Sequence, residues 1–224
     1  MKIEKVCVVG MGYIGLPTAA LIASKKIPVI GYDINPDIVS SINKGKTHIS
    51  EPKLDSLVKE AVKSNFLAAS NMPPEANIYI IAVPTPFKSI RKKSPVPDIS
   101  YIESSIKNIS RVLPNKCLII LESTSPVGTT KKIENLLKKL RPDIEFNLAY
   151  CPERVLPGKI LSELVSNDRV IGGVDEKSSR KAKSFYKNFV EGKCYLTNSQ
   201  TAEMVKLTEN SFRDVEIAFA NELS

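Results

Sequence analysis

The stretch Val6-Cys7-Val8-Val9-Gly10-Met11-Gly12-Tyr13-Ile14-Gly15, followed after an apolar segment by Val29-Ile30-Gly31-Tyr32-Asp33, decides how this chain folds. It predicts a strand, a glycine turn, a helix, a second strand and a terminal acid. An unbroken apolar run before Gly10 is what a parallel strand buried on both faces requires. Gly10 then makes the tight turn, Gly12 leaves room for a pyrophosphate against the backbone, and Gly15 lets the helix pack close to the strand. The helix start presents unpaired N–H groups and the positive end of its dipole to an anion, and Pro17 in the first turn loses no intrahelical bond. Asp33 follows about twenty residues on, where a carboxylate accepts from both hydroxyls of an adenosine ribose and repels a 2′-phosphate. No Arg follows it, so NAD is expected rather than NADP. The glycine spacing alone occurs by chance; the strand before it, the helix after it and the acid make it specific.

A chain of 224 residues with 42% hydrophobic content is long and apolar enough to bury a substantial core. Lys2 and Lys5 before the apolar stretch to Ala23 imitate a signal peptide, but glycines and Pro17 interrupt it and it runs directly into a second strand. No apolar run is long enough to span a bilayer, and a cytoplasmic protein is expected. Cys7, Cys117, Cys151 and Cys194 are widely spaced without a C-x-x-C pair, which predicts reduced thiols and no metal site. The net charge of +8 lies mainly in lysines spread along 131–139 and 177–187, the pattern of solvated helix faces rather than of a nucleic-acid or membrane surface.

Pro36 to Lys44 reads as a short helix, and Glu51-Pro52 opens a longer one to about Ser64, with Leu54, Leu57, Val58, Ala61 and Val62 on one face. His48, the only histidine, falls in the connector between them with no recognisable catalytic partner. Ile78-Tyr79-Ile80-Ile81-Ala82 is a second buried strand, and its end at Val83-Pro84-Thr85-Pro86 places Thr85 where a cofactor passes in a doubly wound sheet. Phe87 to Asp98, with Arg91, Lys92 and Lys93, reads as a mobile surface loop. A helix over Ser100–Val112, a strand over Cys117–Leu121 and the hydroxyl-rich loop Glu122 to Gly128 follow; then a helix over Thr130–Leu140 and a strand over Phe146–Ala149. Tyr150-Cys151-Pro152-Glu153-Arg154-Val155-Leu156-Pro157-Gly158, an acid and a base between prolines at a third strand end, reads as a ligand loop. Val170–Gly173, a helix over 176–188 and Cys194–Leu196 complete the sheet.

From Ser199 onward the sequence reads as one long helix, capped by Asn198 or Ser199. Lys206, Asn210 and Arg213 stand at i, i+4 and i+7 and share a stripe, with Val205, Phe212, Val215 and Phe219 elsewhere on the surface. The predicted class is α/β: a Rossmann-type, doubly wound, mainly parallel sheet over 1–198, followed by the start of a long central helix over 199–224.

Taken together, the glycine loop, the Val83–Pro86 turn, Glu122-Ser123-Thr124-Ser125-Pro126-Val127-Gly128, Tyr150-Cys151-Pro152-Glu153-Arg154 and the helix from Lys206 resemble the nucleotide-sugar 6-dehydrogenases. The resemblance runs from Val6 to Ser224. The wording from Cys151 to Gly158, and Glu209-Asn210-Ser211-Phe212-Arg213-Asp214, favour the branch acting on UDP-N-acetylmannosamine or its N-acetylglucosamine relatives over the UDP-glucose sibling. The resemblance implies NAD-dependent oxidation of a sugar C6 alcohol to a carboxylate in successive hydride transfers, for surface polysaccharide precursors. It implies cofactor contacts at Gly10, Gly12, Tyr13, Ile14, Gly15, Asp33, Thr85 and Thr124, and substrate contacts at Arg154, Val155, Lys206, Asn210 and Arg213. Lys206 and Asn210 would stabilise the developing alkoxide, and Glu153 would orient or deprotonate the hydrolytic water.

One departure is large. The family's Gly-Gly-His-Cys motif, whose cysteine captures the aldehyde, and a second nucleotide-binding domain lie beyond the residues present here. Cys151 is the wrong cysteine for that role, because the family carries it beside the later one. The expectation is therefore a truncated chain, inactive alone, that dimerises through residues 201–224 or else aggregates, the missing parts being supplied, if at all, by a separate C-terminal polypeptide. The alternatives are a non-catalytic NAD-binding remnant, one half of a split enzyme, or a single-step 3-hydroxyacid dehydrogenase.

Overall fold

The computed structural model describes residues 3–88 and 95–224, so Lys2 and the basic residues Arg91, Lys92 and Lys93 lie outside the described residues. The glycine unit is built as expected: β1 (Val6–Val9), α1 (Gly15–Ser24) and β2 (Val29–Tyr32). Then come α2 (Pro36–Asn43), α3 (Leu54–Lys63), β3 (Leu67–Ser70) and β4 (Ile78–Ile81), a short ladder of β5 (Phe87–Lys88) with β6 (Val96–Pro97), and α4 (Ser100–Ser110). The chain continues through β7 (Cys117–Leu121), α5 (Thr129–Leu140), β8 (Phe146–Tyr150), α6 (Ile160–Ser166), β9 (Arg169–Gly173), α7 (Glu176–Tyr186), β10 (Cys194–Asn198) and α8 (Ser199–Glu222).

Eight strands form one sheet in the order β3-β2-β1-β4-β7-β8-β9-β10. The first six are parallel, and the order reverses direction at β1 and β4 as a doubly wound fold requires. Side-chain alternation along β1 divides the core in two. Val6 and Val8 pack with Leu16, Ala20 and Val58 on one face, while Cys7 and Val9 pack with Ile102, Ile106, Ile133 and Leu137 on the other. Helices therefore cover both faces, and the carboxyl ends of the strands are left for a ligand. At the loop, Gly10 has φ +88° and a Cβ there would stand 2.8 Å from the Ala82 carbonyl oxygen; one on Gly15 would stand 1.8 Å from that of Gly10. Both positions exclude any larger residue.

Three features depart from the sequence reading. β3 was not expected, because Leu-Ala-Ala-Ser has little β-propensity. It forms because β2 offers a partner, and because Asn43 seals its outer edge, donating to the Ala69 carbonyl at 2.9 Å and accepting from the Ala69 N–H at 2.7 Å. α6 was not expected either. Glu51, read as opening α3, instead accepts from the N–H groups of Gly158 and Ile160 at 2.8 Å each and closes the start of α6. α3 begins later, after Lys53 at φ 65°. The flanks of the expected mobile loop pair with each other, and Lys88 reaches Asp98 at 3.1 Å.

β9 runs antiparallel to β8 and meets it only at Ala149↔Gly173 and Tyr150↔Gly172. Its first residue, Arg169, is thereby carried past the carboxyl edge of the parallel strands. α8 starts with Asn198 accepting from the Thr201 N–H at 2.8 Å and buries Ser199, Ala202, Glu203 and Lys206; from Asn210 onward it is exposed. Glu203 is fully buried, and its carboxylate accepts from Gly128 N–H (2.6 Å), Thr130 N–H (2.7 Å) and the Thr130 hydroxyl (2.6 Å). It thus lies on the amino end of α5, where the helix dipole favours a negative charge. No helix among the described residues is long and apolar enough to cross a membrane.

Replacing Glu203 with alanine strands the buried Thr130 N–H and the half-buried Gly128 N–H and unpins α8. We expect Glu203→Ala to lose about 3 kcal/mol of unfolding free energy, measured by urea denaturation followed by circular dichroism.

Candidate functional site

The amino end of α1 has no side-chain cap, since Ile14 occupies the capping position, and no acid lies in its first turn. The Leu16 N–H donates to the Gly12 carbonyl at 3.1 Å and Pro17 has no N–H, so the amides that can meet an anion are those of the glycine loop and the helix's first residue. A Cβ on Gly12 would meet nothing within 4 Å, so the backbone there faces open space. Asp33 holds the loop from the side: Oδ2 accepts from the Met11 N–H at 2.8 Å and Oδ1 from the Asn35 N–H at 2.9 Å. Each oxygen keeps a lone pair for a further donor. These features fit a dinucleotide, with its diphosphate at the loop and its ribose at Asp33.

From this point a cavity of about 680 Å³ runs along the carboxyl edge of the sheet. It brings together Gly10, Gly12, Tyr13, Ile14 and Asp33 at one end with Thr85 and Thr124 in the middle and Glu153, Val155 and Lys206 at the other. The middle is cross-tied. The Thr85 hydroxyl donates to the Thr124 carbonyl at 2.7 Å, and the Ser123 hydroxyl to that of Val83 at 2.7 Å. Gly15 is buried behind the loop and does not line the cavity; nor do Arg154, Asn210 and Arg213. Arg154 is turned aside, paired with Glu209 and donating to the Asp168 carbonyl at 2.5 Å. Asn210 and Arg213 stand on the exposed part of α8.

The far end is ionic and largely buried. Lys206 is 9% exposed, and its Nζ donates to the Glu153 carbonyl oxygen. Burial lowers its pKa below the ordinary lysine value; the positive charges of Arg213 and Arg154 add to that, and Glu209 opposes it. The Glu153 side chain is ion-paired with Arg169, whose Nη2 donates to the Leu164 carbonyl at 2.8 Å and whose guanidinium lies 5.1 Å from the Tyr186 ring centre. The Tyr186 hydroxyl in turn donates to Glu122 Oε1 at 2.7 Å. Cys151 is fully buried beside this cluster, and burial pushes its thiol up to about 12, so it stands as a neutral thiol rather than a nucleophilic thiolate. All four cysteines are free. His48 is exposed and lies outside the cavity. Among the described residues, no group of three or more His, Cys, Asp or Glu side chains is placed to hold a metal ion.

Sequence reasoning passed over Glu122, Arg169 and Tyr186. An acid directly after the apolar run 117–121 was a signal for the first. Nothing local marked Arg169 or Tyr186, because β9 and α7 carry them to the site from far along the chain.

With this geometry in place, the chain can be set beside known proteins. Residues 4–190 match the model of the UDP-glucose/GDP-mannose dehydrogenase family, NAD binding domain, and residues 200–224 match the model of that family's central domain. The chain belongs to the UDP-glucose/GDP-mannose dehydrogenase family. UDP-N-acetyl-D-mannosamine dehydrogenase of Escherichia coli strain K12 is 54% identical over 234 residues, covering 100% of this chain and 55% of the relative. The structure of UDP-D-ManNAc dehydrogenase from Pyrococcus horikoshii superposes with TM-score 0.92 at 45% identity, covering 98% of this chain and 53% of that one. The native UDP-N-acetyl-mannosamine dehydrogenase from Staphylococcus aureus superposes with TM-score 0.90 at 41% identity, covering 98% and 54%. The chain therefore spans about half the length of the curated relatives it matches. As in this UDP-glucose/GDP-mannose dehydrogenase family, its cofactor is NAD.

The cluster also makes a pH prediction. Burial raises the Glu122 carboxyl above the ordinary carboxylate pKa, with Arg169 and the Tyr186 hydroxyl pulling the other way. The folded state then holds this proton more tightly than the unfolded state, so its stabilising share is full at low pH and is lost as pH rises through the raised value. As pH rises above the ordinary carboxylate range, Tm of the wild-type chain should fall relative to Glu122→Gln, which has no proton to lose; scanning calorimetry over a pH series checks it.

Proposed function

We propose that the chain is the NAD-binding part of a dehydrogenase that oxidises the C6 alcohol of UDP-N-acetyl-D-mannosamine to UDP-N-acetyl-D-mannosaminuronate. One observation carries the reading: a single cavity joins Asp33 and the glycine loop to Lys206 and Glu153. We divide the chain into a cofactor domain over 1–198 and the first part of a substrate and dimerisation domain over 199–224. NAD, when bound, accepts a hydride. The remaining chemistry falls to side chains of this chain. Gly10, Gly12, Tyr13, Ile14, Asp33, Thr85 and Thr124 hold the cofactor, with Gly15 shaping the loop. Lys206, its proton loosened by burial, exchanges a proton with the C6 oxygen and stabilises its charge. Asn210, one turn further on, adds an amide donor, and Glu153 orients the hydrolytic water. Arg154, Val155 and Arg213 contact the substrate.

Arg154, Asn210 and Arg213 lie outside the cavity of this chain, which supports a substrate wall completed by a second subunit or a separate C-terminal polypeptide. The exposed part of α8 carries Phe212, Val215, Ile217, Phe219 and Leu223, each more than half exposed, and we assign this segment to a homodimer. Light scattering should give twice the chain mass. Free thiols and the soluble substrate accord with a cytoplasmic enzyme.

Two outcomes test the function. In calorimetric titration the chain should bind NAD in preference to NADP, and Asp33→Ala should weaken NAD by about 2 to 4 kcal/mol; equal affinity for the two cofactors would remove Asp33 from the site. Co-expressed with the C-terminal half of the Escherichia coli relative, the chain should form NADH from UDP-N-acetylmannosamine, with none from the chain alone. Lys206→Ala should slow that reaction at least about a hundredfold.

A further inference from the structure

Glu122 has no part in the reading above, yet it is 4% exposed, lines the cavity and carries an unanswered hydrogen-bonding atom. Its Oε1 accepts from Tyr186, whereas Oε2 is buried with no hydrogen-bond partner among the described residues. A buried carboxyl oxygen left so is unfavourable, and such atoms mark places where a ligand supplies the missing group. The surroundings hold the carboxyl rigidly. Tyr186 grips one oxygen, Arg169 stacks on Tyr186 and pairs with Glu153, and the Glu122 backbone N–H donates to the Ile81 carbonyl at 2.9 Å.

The place along the sheet identifies the ligand group. Asp33 follows β2, and Glu122 follows β7, three strands away in the order β2-β1-β4-β7. At strand spacings of about 4.8 Å this is roughly 14 Å along the carboxyl edge. A dinucleotide anchored by its adenosine ribose at Asp33 and its diphosphate at the glycine loop extends its nicotinamide half toward β7. The ring is the part of that half whose burial is favourable, and its carboxamide is the ring's only hydrogen-bonding group. We propose that Glu122 is the subsite for the nicotinamide carboxamide: with the positively charged ring of bound NAD beside it the carboxyl is ionised, and Oε2 accepts the amide N–H and fixes the rotation of the ring in the cavity. The assignment rests on the reading that NAD lies in this cavity, and it makes Glu122 a determinant of cofactor chemistry at the ring end, as Asp33 is at the ribose end.

The test is calorimetric titration of the full chain with NAD, with 3-acetylpyridine adenine dinucleotide, in which a methyl replaces the amide nitrogen, and with ADP-ribose, which ends before the ring. The wild-type chain should bind NAD about tenfold more tightly than the acetylpyridine analogue. Glu122→Leu should weaken NAD to the level of the analogue while ADP-ribose stays within about twofold. Glu122→Gln, whose one carbonyl oxygen is engaged by Tyr186, turns an amide NH2 to the cavity and should lose the preference for NAD as well. Equal wild-type affinity for NAD and the analogue overturns the proposal whether or not the leucine variant folds, and so does a preference that survives in Glu122→Leu. Failure of the wild-type chain to bind NAD and ADP-ribose alike would remove the cofactor reading itself, a result distinct from binding without discrimination.

Discussion

The buried carboxylate of Glu203 is the constraint on which the ligand end of this structure depends. A fully buried carboxylate is tolerated only where donors replace its water, and here the amino end of α5 supplies them. The contact works in both directions. It satisfies amides that α5 cannot satisfy internally, and it fixes the rotation and height of α8 against the sheet. Lys206 lies three residues on, on the same side of the helix, so the bond that seats α8 also delivers an ammonium into the cavity.

The same device recurs. Glu51 joins the connector after α2 to the start of α6, Asp33 joins the end of β2 to the glycine loop, and Asn43 seals the edge of β3. In each case a short polar side chain binds backbone amides of a segment far away in sequence. Loops around the cavity thus gain positions that their own turn chemistry does not impose. The ligand end is rigid because its loops are cross-tied, as in the Thr85 to Thr124 and Ser123 to Val83 bonds, and not because they are short.

β9 contributes in another way. Because it meets β8 only at the carboxyl ends, its start overhangs the site and introduces Arg169 beside Glu153. A fixed cation there balances a buried carboxylate at the end of the cavity away from Asp33, and its stacking on Tyr186 orders the residue that grips Glu122. The outcome is a chain of contacts, Glu153 to Arg169 to Tyr186 to Glu122, in which each charged or polar group is held by the next. It lies under the end of the cavity away from Asp33.

Much of this was legible in the amino-acid sequence. The apolar run into Gly10-Met11-Gly12-Tyr13-Ile14-Gly15 and the acid at Asp33 determined the first βαβ unit, because strand burial, positive φ and close packing are local demands that few residues meet. The other buried strands, and the helix from Ser199 with its Asn198 cap, followed from periodicity and capping. Tertiary structure alone decided the rest. β3 exists by virtue of its neighbour and Asn43, since its own residues favour no strand. Glu51 closes a helix more than a hundred residues away, and Arg169, Tyr186 and Glu122 meet only because one strand reverses direction. Spacing on α8 placed Lys206, Asn210 and Arg213 on one stripe, but only the docking of its first turns determined that Lys206 alone of the three enters the cavity. Periodicity records which face of an element is apolar; it carries no record of how far along its neighbours that element is seated, and the long-range contacts of buried polar groups set that.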